Sequence, residues 1–183
     1  MYSNYENIDS KSVGECTNPV NIIMKKFEEV TTPNIPISII FENFYLGNML
    51  SSSEYLNFDL VINCNHPDNK TLYDTMTIEI IHKQNSPLTI LNIGIFDSIT
   101  EDIFKYFDIV GSYIIINLKQ NKKVLVHCKA GISRSSTLVI AFLIKFCKMN
   151  LQRALDYVKR KRHIAQPNEG FMEQLKIYEK FNN

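Results

Sequence analysis

Apolar residues fall into two rhythms along this chain. Between residues 37 and 96 they form short dense runs, which predict strands over 37–41, 44–46, 60–64, 76–81 and 88–96. Gly47-Asn48 reads as a turn after the second run. Beyond residue 100 the spacing changes to three and four, the repeat of a helix with one buried face. Ile103, Phe107, Val110 and Ile114 line such a face over 101–119, with Thr100 as the expected cap. Val124-Leu125-Val126 is one further strand, and helices are expected over 133–148, 151–162 and 168–181. Strands alternating with helices predict an α/β fold, a single domain whose central, mostly parallel sheet has helices on both faces. Ligands of such sheets bind beyond the carboxyl ends of the strands. His127 and Cys128 fall at such an end.

The chain ahead of this pattern is different. Residues 1–18 are polar and rich in Asn and Ser, as expected of a mobile arm. Pro19 then opens a helical spacing of Val20, Ile23, Met24 and Phe27. That short helix is expected to dock on the body, with partner binding as its other use. The prolines at 33 and 36 end it. The chain thus divides into an arm with a short helix over 1–33 and a main domain over 34–183.

Composition narrows the function mostly by exclusion. A chain of 183 residues buries a core without staples, and a formal net charge of +1 supplies no global field for nucleic acid or a membrane surface. Any preference for anions must be local. Cys16, Cys64, Cys128 and Cys147 make an even count, yet no basic-then-apolar leader opens the chain and no CxxC pair marks a zinc site. Reduced thiols in the cytoplasm are expected, with no structural zinc site and no membrane segment. The basic run 159–163 could be a nuclear address, but it also complements a helix dipole, which is the preferred reading.

One segment gathers chemistry: Val126-His127-Cys128-Lys129-Ala130-Gly131-Ile132-Ser133-Arg134-Ser135-Ser136. A cysteine ends a buried strand, five residues follow, and an arginine opens a helix. So short a loop must curl, and Gly131 admits the backbone angles this needs. The curled amides of residues 128–134 would form an anion nest at a helix N-terminus, and the Arg134 fork matches two phosphate oxygens. A thiol in such surroundings is expected to ionise at neutral pH, ready to attack phosphorus. His127 would orient the loop, Ser135 would hydrogen-bond the sulfur, and Lys129 would add charge at the rim. The plainer reading, Cys128 as a small buried apolar residue, leaves the glycine, the spacing and the hydroxyl run unexplained.

The stretch from His127 to Ser135 resembles the HCxxGxxRS loop of the protein tyrosine phosphatase superfamily, and the chain resembles its dual-specificity branch. Phe44-Tyr45-Leu46-Gly47 looks like the "LYLG" segment of that branch. Pro167-Asn168-Glu169-Gly170-Phe171, with Gln174-Leu175 and Glu179, looks like its C-terminal signature. The resemblance runs from about residue 34 to 181. It implies a phosphotyrosine-phosphatase-like fold and a two-step, cofactor-free removal of phosphate from phosphotyrosine, phosphoserine and phosphothreonine in phosphoproteins. It also implies a general acid on an upstream loop, best matched by Asp97, with Asp102 the other candidate and Asp108 a weaker one. The competing reading of Asp97 is a turn residue or a cap for the next helix. Asn168 would brace the loops or cap the last helix. Cys64 would be a redox partner of Cys128 or, preferred, a packed core cysteine.

Two departures bear on substrate. Residues 65–86 look longer than usual and could form an extra hairpin. Lys129 occurs in relatives acting on phosphoinositides, but those often carry a second basic residue where this chain has Ile132, which favours a protein substrate. A non-protein substrate, an inositol lipid or an RNA 5′-phosphate end, is the alternative. A non-catalytic phosphoprotein binder is a third reading, although such relatives usually lack the cysteine or arginine kept here.

Overall fold

The computed structural model describes residues 36–65, 76–82 and 87–182. The expected arm and short helix, and most of the expected extra hairpin, lie outside the described residues. Six strands form one sheet: β1 (Ile37–Phe41), β2 (Phe44–Gly47), β3 (Leu60–Asn63), β4 (Met76–Ile81), β5 (Leu88–Ile93) and β6 (Val124–His127), in the order β1-β2-β6-β3-β5-β4. The four central strands are mutually parallel, while β1 and β4 run antiparallel at the edges. The helices are α1 (Phe107–Lys119), α2 (Arg134–Cys147), α3 (Leu151–Lys161) and α4 (Glu169–Asn182). No helix among the described residues is long and apolar enough to cross a membrane.

Alternation along the strands sorts two cores. Leu60, Ile62, Val124 and Val126 point to the side shared by the buried stripes of α1, α2, α3 and α4. Val61, Leu125 and Ile90 point the other way, against Phe58 and Tyr55 around the 3-10 segment Met49–Asn57. The expectation of helices on both faces is therefore corrected. Among the described residues the four α-helices share one face, and only the 3-10 segment backs the other. α2 is the hub of the helical side, packing on α1, α3 and α4 and buried throughout residues 134–144. Phe142 clusters with Phe41 and Phe44 at ring-centroid distances of 5.1–6.3 Å, fixing the β1–β2 hairpin to this helix. Such aromatic pairs add about 0.5–1.5 kcal/mol each beyond simple burial.

Several boundaries differ from the sequence pattern, each for a physical reason. The helix expected from residue 101 begins as a 3-10 turn, Phe104–Tyr106, and becomes α-helical at Phe107. Thr100 does not cap it; its hydroxyl lies 3.0 Å from that of Ser98. The amide of Gln174 instead accepts from the N–H groups of Ile103 and Phe104 at 3.0 and 2.8 Å and donates to the Glu101 carbonyl at 2.8 Å. β5 stops at Ile93 rather than 96 because the Ile95 carbonyl turns to the Arg134 guanidinium. Gly47 closes β2 instead of starting a turn, and Asn48 caps the 3-10 segment.

Candidate active site

The two central strands, β6 and β3, end in register, with Asn63 opposite His127. Cys64 and Cys128 follow directly, and the Cys64 N–H still donates to the His127 carbonyl at 2.9 Å. From Cys128 the chain loops into α2, which begins at Arg134. Gly131 adopts a φ of +67°, the left-handed turn only glycine takes without strain.

The carbonyls of this loop are accounted for one by one. That of Lys129 accepts from the Met49 N–H at 3.1 Å, and that of Ile132 from the Gln166 N–H at 2.8 Å. Those of Ala130 and Gly131 accept from Arg162, through Nη2 at 3.1 Å and Nε at 2.7 Å. A trans peptide places its N–H opposite its C=O, and no described peptide bond is cis. With these carbonyls turned outward, the N–H groups of Ala130, Gly131, Ile132 and Ser133 turn inward. Gly131 shows it directly, its N–H donating to Cys128 Sγ at 3.2 Å. The Ser135 hydroxyl donates to the same sulfur at 3.2 Å. The result is a nest of donors at a helix N-terminus, suited to a tetrahedral anion.

Arg134 is nearly buried. Its Nη1 donates to the carbonyls of Cys64 and Ile95 at 3.3 and 3.2 Å, which fixes the guanidinium plane. Its Nε is buried without a hydrogen-bond partner and lies 3.8 Å from Asp97 Oδ2. A buried donor left unpaired is costly, and a phosphate oxygen would satisfy it. Asp97 is held from its other oxygen: Oδ1 accepts from the Ser133 hydroxyl at 2.6 Å and from Asn168 Nδ2 at 2.9 Å. Oδ2 is thereby left toward Arg134. Asn168 both braces and caps, because its Oδ1 accepts the Phe171 N–H at the start of α4 while its own N–H donates to the Ser133 hydroxyl.

The remaining predicted residues sort clearly. Lys129, Ala130 and Ile132 sit at the exposed rim of the loop. Asp102 is exposed and makes no polar contact with the loop among the described residues. Asp108 belongs elsewhere, accepting from Lys145 Nζ at 2.7 Å and from the Tyr178 hydroxyl at 2.6 Å. Both partners pull its carboxyl below the usual range. His127 is buried, and its Nε2 meets the Tyr55 hydroxyl. Burial pushes this imidazole down to about 4, with the Cys128 backbone opposing weakly. Burial likewise holds Tyr55 up at about 12. At neutral pH a protonated tyrosine therefore meets a neutral imidazole. Cys64 is fully buried, and its thiol is raised well above the ordinary value, by desolvation first and then by the Cys128 sulfur, with Arg134 opposing.

Tyr55 and Arg162 are the site neighbours that sequence reasoning missed. Arg162 had a signal: Leu151, Ala154 and Val158 form the buried stripe of α3, and 162 continues it by one more turn. It is a buried arginine at a helix end, where the preferred reading of the basic run was a dipole complement.

A cysteine sulfur ringed by inward-turned donors, with an arginine and a carboxylate facing each other beside it, is the arrangement a cysteine-dependent phosphatase requires. Residues 43–181 match the family described as the dual specificity phosphatase catalytic domain, and the chain belongs to that family. It is 37% identical over 146 residues to the 123R protein of Invertebrate iridescent virus 6, which is named as a tyrosine phosphatase, covering 79% of this chain and 92% of that one. It is 31% identical over 193 residues to the protein phosphatase Slingshot homolog 1 of Mus musculus, covering 98% of this chain but only 17% of the relative. The solved structure of human DUSP28 superposes with a TM-score of 0.68 at 21% identity, over 83% of this chain and 98% of that one, a likeness of fold.

Proposed function

We propose that the chain hydrolyses phosphotyrosine and phosphoserine or phosphothreonine in proteins, through a cysteinyl-phosphate intermediate on Cys128. The observation that carries this is the pair of hydrogen bonds on Cys128 Sγ, from Gly131 and Ser135, inside a loop whose carbonyls face outward. In the first step the sulfur lone pair forms the S–P bond while the P–O bond to the substrate breaks. Asp97 Oδ2 gives its proton to the departing oxygen. In the second step water attacks phosphorus, Asp97 takes the water's proton, and the S–P electrons return to sulfur. The Ser135 hydroxyl, already donating to that sulfur, stabilises it as it leaves. The loop amides and Arg134 hold the three non-bridging oxygens as charge shifts among them. Exposed apolar side chains near the site, Phe96, Ile99 and Ile132, suit a peptide more than an inositol headgroup. Reduced, free cysteines fit action in the cytoplasm.

The test compares wild type with Cys128→Ser on phosphopeptides bearing each of the three phosphoresidues, on phosphoinositides and on RNA with a 5′-triphosphate. Turnover of the peptides by wild type and none by Cys128→Ser, which still binds them, is the expected result. Turnover retained by Cys128→Ser defeats the mechanism. Faster turnover of the lipid or RNA transfers the site to a non-protein substrate.

A further inference from the structure

We propose that Arg162 is a positioning residue for the reaction, a buried clamp behind the phosphate loop that sets the orientation of two of its peptide planes. The inference rests on the assignment of the Cys128 loop as the reacting centre.

The geometry is specific. Arg162 directly follows the last residue of α3 and is 4% exposed. Its Nε donates to the Gly131 carbonyl at 2.7 Å, Nη2 to the Ala130 carbonyl at 3.1 Å and Nη1 to Ser38 Oγ in β1 at 3.3 Å. One rigid fork thus holds consecutive carbonyls and ties them to the sheet edge. Those peptides carry the N–H groups of Gly131 and Ile132 on their opposite sides. The first is the group that reaches the nucleophilic sulfur. Without the fork the Ala130 carbonyl loses its Arg162 donor and the Gly131 carbonyl keeps only the longer bond from the Ser136 hydroxyl at 3.4 Å, and a flipped peptide would present a carbonyl to an incoming phosphate. The same packing adds to the demand for glycine at 131. A Cβ there would lie 2.6 Å from Arg162 Nη2 and 2.5 Å from the Gly47 carbonyl oxygen.

Charge supports the same role. Burial lowers the Arg162 pKa while the Cys128 sulfur raises it, so cation and nucleophile sense one another through the loop. Arg162 touches no substrate; its effect passes through the backbone it orients. Lysine cannot replace it fully, because an ammonium lacks the planar fork that spans adjacent carbonyls.

The experiment measures Arg162→Lys and Arg162→Met against wild type in the full chain. The readouts are kcat and KM for 4-nitrophenyl phosphate, inhibition constants for inorganic phosphate and for vanadate, and thermal unfolding by circular dichroism. Hydrogen bonds from a charged donor are worth enough that losing one predicts a fall in kcat/KM of about 10- to 100-fold. Arg162→Met is expected at the upper end and Arg162→Lys at the lower. Vanadate, which mimics the five-coordinate state, should lose more affinity than phosphate in both. A purely structural role would lower the melting temperature and leave the constants of the folded enzyme unchanged. Folded variants with kcat/KM and vanadate inhibition within threefold of wild type overturn the proposal. So does failure of the lysine variant to fold, which would make Arg162 a general support of the fold. Turnover surviving in Cys128→Ser is a separate result and removes the site assignment itself.

Discussion

His127 offers a quantitative test of how dry the floor of the site is. The residue is 2% exposed, its Nε2 meets the Tyr55 hydroxyl, and its Nδ1 is buried without a hydrogen-bond partner. Burial holds its pKa at about 4, against 6.5 for an exposed imidazole. A histidine depressed in the folded state costs nothing above pH 6.5. As pH falls through 6.5 the unfolded chain takes a proton that the folded chain refuses, and stability drops until the folded group titrates near 4. At 1.36 kcal/mol per pH unit, the gap corresponds to about 3 kcal/mol, most of it lost by pH 4.5. Urea unfolding of wild type and His127→Gln at a series of pH values from 7.5 to 4.5 measures it. Carboxylates contribute equally to both proteins, so the difference between the two curves isolates this residue. Wild type should lose roughly 2–3 kcal/mol more than the variant over that range. Parallel curves would show that water reaches the ring, and the buried Tyr55–His127 contact would fall with them.

The other expectations concern the chemistry. Asp97→Asn should slow alkyl phosphates by about 10²–10⁴-fold, the usual worth of a general acid, and aryl phosphates with good leaving groups far less; equal losses on both would point to Asp102. Gly131→Ala forces φ +67° on a side-chain residue, costing about 1–2 kcal/mol, and its methyl collides with Arg162. Urea unfolding should show at least that loss and turnover should nearly vanish; a silent substitution would refute the loop geometry. Chelators should leave turnover of 4-nitrophenyl phosphate unchanged, and a strict metal requirement would defeat the cysteinyl-phosphate route.

The phosphate loop was legible because its parts are contiguous. Strand end, sulfur, glycine and arginine fall within eight residues, 127–134, so local rules reach all of them. Asp97 stands 31 residues before Cys128, and only family resemblance singled it out from Asp102; its hydrogen bonds from Ser133 and Asn168 are long-range and could not be read locally. The strands were readable from apolar runs, but not the side on which helices would lie, since fully buried central strands look alike on both faces. The false cap at Thr100 has the same origin. A glutamine 70 residues away from Phe104 supplies what a local hydroxyl was expected to give. Tyr55 and Arg162 were hidden for a related reason, because their partners are a ring nitrogen 72 residues away and backbone carbonyls 31 and 32 residues away.

These long-range groups explain why so short a loop can be rigid. A nest needs its amides turned inward, and planar peptides allow this only if the carbonyls find donors outside. The 3-10 segment after β2 supplies one through Met49, the chain before α4 supplies another through Gln166, and Arg162 supplies two. Each donor belongs to a different element, and each element is fixed by its own core contacts. With the Cys128 loop as the proposed phosphate site, phosphate affinity would depend on the packing of the 3-10 segment, α3 and the entry to α4, none of which needs to touch the phosphate. A substitution that loosens any of these anchors should weaken oxyanion binding before it unfolds the domain, because rotating one peptide plane takes less free energy than separating a helix from the sheet.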